Sequence, residues 1–124
     1  MATAHEDPLS EYLRALAHPY RRVVLYYLRE HERATLDALG DCLAGWMGAG
    51  PETGSSADPE TIRVALHHVH VPKLADAGLL TYDPETQRAT LEPLSPTVDR
   101  FVSTALDADT GAESVDHLLA RRDD

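Results

Sequence analysis

From residue 7 onward, apolar residues return every three or four positions, the period of helices that bury one face. Asp7-Pro8 offers a capping carboxylate and a proline preset for the first helical position. Leu9, Leu13, Leu16 and Ala17 then fall on one face. His18-Pro19 repeats the signature, and Tyr20, Val24, Tyr27, Leu28 and His31 keep the period, with Arg21, Arg22 and Arg29 expected to turn away. Thr35 caps a predicted third helix carrying Leu36, Leu39, Leu43, Trp46 and Met47 on its apolar side.

Residues 48–59, GAGPETGSSADP, break the period with the Gly, Pro and Ser content of a surface loop longer than most helix connections. Asp58-Pro59 then opens a fourth helix through Arg63, Leu66, His70 and Leu74, which Gly78 ends. Pro72 lacks an amide hydrogen and its ring clashes with the preceding turn, so the helix should bend or split near residues 69–71. From Leu79 the period shortens. LLTYD and RATLE read as two short strands of a hairpin whose tip spans residues 83–88, closed off by Pro93 and Pro96. Ser95-Pro96 starts a fifth helix with Val98, Phe101, Val102, Ala105 and Leu106 on one stripe, and a last short helix is expected around Val115, Leu118 and Leu119.

The pattern predicts a mainly α fold with a small β-hairpin. Helices followed by a hairpin give the element order of a winged helix-turn-helix, in which the second helix of a steeply crossed pair enters the DNA major groove and the hairpin is the wing. A chain of 124 residues suits one core. The expected organisation is a single winged-helix domain over residues 1–124, with its core in 9–93 and a C-terminal helical extension for dimerisation in 94–124. The stripes Leu9, Leu13, Leu16 and Val98, Phe101, Val102, Leu106 exceed what one such domain needs to cover itself, and a symmetric homodimer would bury them.

Charge alters this picture. The net charge is −10, from 21 acidic residues against ten arginines and one lysine. Such acidity normally opposes binding to DNA. In molar salt, however, the Debye length falls to about 3 Å, so long-range repulsion vanishes and counterion release weakens as a driving force. A salt-loving source and a double-stranded DNA partner are therefore compatible. No stretch is apolar enough to span a membrane, and MATAHEDPL lacks the basic end and apolar run of a secretion signal, so a cytoplasmic protein is expected.

Chemistry concentrates in HHVHVPK, residues 67–73. In a regular helix His67 and His70 share a face, which opens a metal-sensing reading, but two ligands make no site and no H-E-x-x-H pattern occurs. Cys42 stands alone in an apolar helical pattern, so a redox-sensing reading would need an exposed, electropositive setting for it. No nucleophile elbow, phosphate loop or dinucleotide fingerprint is present. Neither an enzyme, a cofactor, a bound metal nor a small-molecule ligand is expected. If Leu66, Leu74 and Ala77 face the core, His70 lies beside them as a partly buried, hydrogen-bonded histidine. His67 and His68 then join Thr61, Arg63 and Lys73 as donors on an exposed helix face, able to reach guanine edges or phosphates. Ser55, Ser56 and Thr61 near the helix start could hold a phosphate. Gln87 and Arg88 at the hairpin tip could approach the minor groove. A winged-helix module that binds protein instead of DNA is the other reading, and it accommodates the acidity directly.

KLADAGLLTYD resembles the segment after the recognition helix in arsenic-repressor-like and PadR-like winged-helix regulators. HPYRRVVLYYLREH together with ALHHVHVPKLADAGLLTYD is similar to a haloarchaeal group of small winged-helix proteins that includes a regulator responding to reactive oxygen species. The likeness covers roughly residues 9–93. It implies a dimeric, archaeal, DNA-binding transcription regulator with a part in stress response. The long loop at 48–59 departs from the tight turn of the prototypical motif.

Overall fold

The computed structural model describes residues 7–47 and 58–122, the side chains of residue 47 and of residues 111–122 excepted. The chain divides into two units, Met1–Pro93 and Leu94–Asp124.

In the first unit α1 (Pro8–Ala15) begins as its sequence dictates, with Asp7 accepting a 2.7 Å bond from the Ser10 amide. Helix α2 (Pro19–His31) is capped by an imidazole: His18 Nδ1 accepts the Tyr20 amide at 3.0 Å. Strand β1 (Arg33–Thr35) follows, then α3 (Leu36–Met47), whose start Thr35 caps by accepting from the Ala38 amide. After residues 48–57 come α4 (Pro59–Ala65), a π-helical turn (Leu66–His70) and α5 (Val71–Asp76). Strands β2 (Leu80–Asp83) and β3 (Arg88–Leu91) form the hairpin.

The sheet is antiparallel with order β1-β3-β2, so β3 is central. Strand β1 was not foreseen. Three residues show no readable alternation, and it exists because it fills the second edge of β3, pairing Ala34 with Ala89. The hairpin is fastened at two further points: Leu36 donates its amide to the Gln87 carbonyl and Leu91 donates to that of Glu32, each at 2.9 Å.

The core is aliphatic. Val24, Leu25 and Leu28 of α2, Leu36 and Leu43 of α3, Leu66, Val71 and Leu74 beyond the loop, and Ala89 of the sheet are fully buried. Helices α3 and α4 approach closely at Gly40, where a β-carbon would stand 3.2 Å from the Pro59 carbonyl oxygen. A larger residue there would push the two helices of the motif apart.

Pro72 does not sever its helix; the disturbance expected near residues 69–71 takes the form of a π-helical turn. The backbone stays helical from α4 through α5, and the Val71 amide donates to the Leu66 carbonyl, five residues back. This wider turn makes room for the proline ring. It also serves burial. Ile62, Leu66, His70 and Leu74 are all buried at a spacing of four, which in a regular α-helix drifts by about 40° per step. The wider turn takes back part of that drift and holds His70 on the core side.

In the second unit α6 (Pro96–Arg122) is one helix of 27 residues. The two helices expected from the sequence are joined through Gly111, whose helical cost of roughly 1 kcal/mol does not interrupt it.

Candidate nucleic-acid interface

The helix α4–α5 presents its exposed side at Thr61, Val64, His68, Val69 and Lys73, and half-buried Arg63 and His67 flank it. Val64 and Val69 are unusually open for valines, at 46% and 43%. Aliphatic groups at such positions suit contact with thymine methyls.

Two ties join this helix to its neighbours. His67 Nδ1 and the Tyr82 hydroxyl share a hydrogen bond of 2.7 Å, linking the π turn to the first wing strand. Burial, with Asp83 nearby, pushes the Tyr82 phenol above its usual range, so the hydroxyl keeps its proton. Arg88 is exposed on the wing beside Tyr82, opposite Asp83 in the hairpin register. Gln87 is half-buried and has a left-handed backbone, φ 55°, which turns the tip.

The second tie changes the electrostatics. Arg63 lies against Glu60, 2.7 and 2.8 Å from its two carboxylate oxygens, and 3.4 Å from Asp37 on α3. Hydrogen bonding and charge from Glu60, then Asp37, hold its guanidinium more firmly protonated than usual. The sequence pointed to Arg63 as a free donor; the structure gives it two carboxylate partners. The i to i+3 spacing of Glu60 and Arg63 carried that signal.

At the start of α4, Asp58 accepts from both the amide and the hydroxyl of Thr61. Thr61 therefore has no proton left for a phosphate, and the capping carboxylate repels one. Ser56 and Ser55 lie outside the described residues.

His67 and His70 do not act together. The π turn sends His67 toward Tyr82, whereas His70 is 93% buried against His18, Tyr20 and Arg21. The metal reading loses its pair of ligands, and among the described residues no three His, Cys, Asp or Glu side chains converge. Cys42 is half-buried, and burial raises its thiol pKa, which disfavours the reactive thiolate.

Arg21 was expected outside and is buried. Its Nε donates to the Ala15 carbonyl at 2.7 Å, one terminal nitrogen to the Arg14 carbonyl and the other to His70 Nδ1, both at 3.1 Å. Residues 21, 24, 25 and 28 share one helical stripe, so its place in the core was readable. A guanidinium only donates, so His70 Nδ1 accepts and the neutral ring carries its proton on Nε2.

Of the residues expected at a dimer surface, Leu9 and Leu13 are exposed, at 48% and 53%. Leu16, Val98 and Val102 are buried, and Phe101 and Leu106 are half-buried.

Helix pair, three-stranded sheet and wing together define a winged helix-turn-helix protein. The chain belongs to the family described as a domain of unknown function, DUF7344, whose model matches residues 13–90. No curated protein and no solved structure matches it. Among the described residues no helix is long and apolar enough to cross a membrane.

Proposed function

We propose that this protein is a sequence-specific DNA-binding transcription regulator of a halophile, working in the cytoplasm as a homodimer without enzymatic activity. The observation that carries the reading is the 2.7 Å bond between His67 and Tyr82. It joins the α4–α5 helix to the wing, and exposed His68, Val64 and Lys73 on one and Arg88 on the other would act together as a duplex-contacting surface. The helix would enter the major groove, with His68 and Val64 at base edges and Lys73 at a phosphate. Arg88 would follow the backbone toward the minor groove. Among the described residues expected at a dimer surface, Leu9 and Leu13 are the exposed ones and would meet a second copy, and such a dimer reads two half-sites about one helical turn apart.

Arg63 fits this reading as a residue that exchanges partners. Exposed ion pairs contribute little and are screened further in molar salt, so Glu60 and Asp37 can yield the guanidinium to guanine. The test is a fluorescence titration of duplex libraries in molar potassium chloride, with sequence-preferring binding expected. Absence of preference, or affinity unchanged in the Arg63→Ala, Arg88→Ala double variant, would sink it.

A second reading, a winged-helix module that binds a basic protein, is favoured by the carboxylates themselves. Asp37, Asp58 and Glu60 cluster at the start of the exposed helix and outnumber the one arginine among them. On this reading Glu60→Gln weakens partner binding; on the first it strengthens duplex binding.

A further inference from the structure

Arg21 is a guanidinium that burial leaves 7% exposed, and no carboxylate among the described residues lies within ion-pairing distance of it. Buried cations are ordinarily paired, because taking a charge out of water is costly unless an opposite charge compensates. The groups that do meet Arg21 are two carbonyls at the end of α1 and a neutral imidazole. A helix C-terminus offers at most about half of one negative charge, and desolvation accordingly lowers the Arg21 pKa. Three of its five N–H groups are used. Two remain, one on each terminal nitrogen.

Arg21 belongs to the wall of an open cleft between α1, α2 and α5, lined also by Glu11, Arg14, Ala15, Lys73, Asp76 and Ala77. Lys73 has no ion-pair partner among the described residues. Arg21 and Lys73 thus line one cleft, together with Arg14 and the carboxylate residues Glu11 and Asp76. Its volume of about 170 Å³ is well below the roughly 300–1,000 Å³ of a drug- or cofactor-sized site, and it suits a ligand of a few atoms.

We infer that this cleft binds a small oxyanion, a carboxylate or a phosphate, held between the Arg21 guanidinium and the Lys73 ammonium. A planar guanidinium matches the paired oxygens of either group, and the lysine adds a point charge from the opposite helix. Bound there, the anion supplies the negative charge that Arg21 lacks. Glu11 and Asp76 in the same lining would restrict the site to small anions of low charge. Lys73 is shared with the proposed duplex surface, so the anion is titrated in the absence of duplex and the outcome does not depend on DNA binding.

Calorimetric titration of the full chain with sodium phosphate, and separately with sodium acetate, at constant ionic strength tests it. Saturable one-to-one binding of either anion is expected, and the tighter one identifies the ligand class. Lys73→Gln, an exposed change that leaves the core intact, should weaken binding roughly tenfold or more. Arg21→Lys, which keeps the charge and loses the fork, should weaken it too, with its fold checked by circular dichroism. Arg33→Gln, exposed on β1 and outside the cleft, should bind as wild type does. The inference fails if neither anion saturates, if Lys73→Gln binds as tightly as wild type, or if Arg33→Gln loses as much affinity as Lys73→Gln.

Discussion

A terminal nitrogen of Arg21 donates to His70 Nδ1 across 3.1 Å, so α2 and the π turn of the exposed helix are joined by a bond that requires an unprotonated imidazole. Around that ring stand His18 and Tyr20 at the start of α2, Arg21 on the same helix, and Lys73 on α5. Burial first, then the charges of His18, Arg21 and Lys73, bring the His70 pKa down to about 4. His18 shifts the same way, from burial and then Arg21 and Arg22.

Stability should therefore depend on pH with a defined sign. Between the unfolded value near 6.5 and the folded value near 4, the unfolded chain holds a proton at position 70 that the folded chain does not. The His70 contribution is complete above about pH 6.5 and is lost as the pH falls toward 4, with an upper bound of about 3 kcal/mol. Urea midpoints of wild type and His70→Gln, compared between pH 7 and 4, should differ in slope over this window. Parallel curves would show that His70 does not titrate as described.

The His67–Tyr82 bond is accessible to a single-atom deletion. Tyr82→Phe should cost about 1 kcal/mol in chemical denaturation and lower duplex affinity by loosening the wing. A variant as stable as wild type would mean that the bond contributes nothing net.

Freeing Arg63 separates the two functional readings. Glu60→Gln and Asp37→Asn should leave the melting temperature nearly unchanged, since the pairs are exposed. Duplex affinity should rise in both variants. No rise in duplex affinity, with weakened binding of a basic protein, would favour the second reading.

Two glycines of α3 make a controlled comparison. Gly45 has open space around it, so Gly45→Ala should stabilise the protein by roughly 0.5–1 kcal/mol through helix propensity. Gly40→Ala carries the same propensity gain but sets its methyl 3.2 Å from the Pro59 carbonyl oxygen, and should forfeit most or all of it. Equal melting shifts for the two would indicate that α3 and α4 separate readily.

The helices and the hairpin were legible because caps, prolines and period are local signals: Asp7, His18, Thr35 and Asp58 each do at an N-terminus what their side chains suggest. Features set by distant partners were not. Strand β1 depends on β3, and the single long α6 overrides a glycine that reads as a break. At the candidate surface, residue types on the exposed helix were readable, but their neighbours were not. That Asp37 would meet Arg63 and that Tyr82 would meet His67 follows only from how α3 and β2 pack on that helix. Pro72 announced a disturbance without disclosing its form, because a kink and a widened turn both relieve the same clash.

The two hydrogen bonds that the Leu36 and Leu91 amides donate to the Gln87 and Glu32 carbonyls have a mechanical consequence. They clamp the ribbon at its tip and at its root to the segment that launches α3. A force lifting the ribbon must first break both of these bonds, so a bound molecule would meet the ribbon and the start of α3 as one stiff blade.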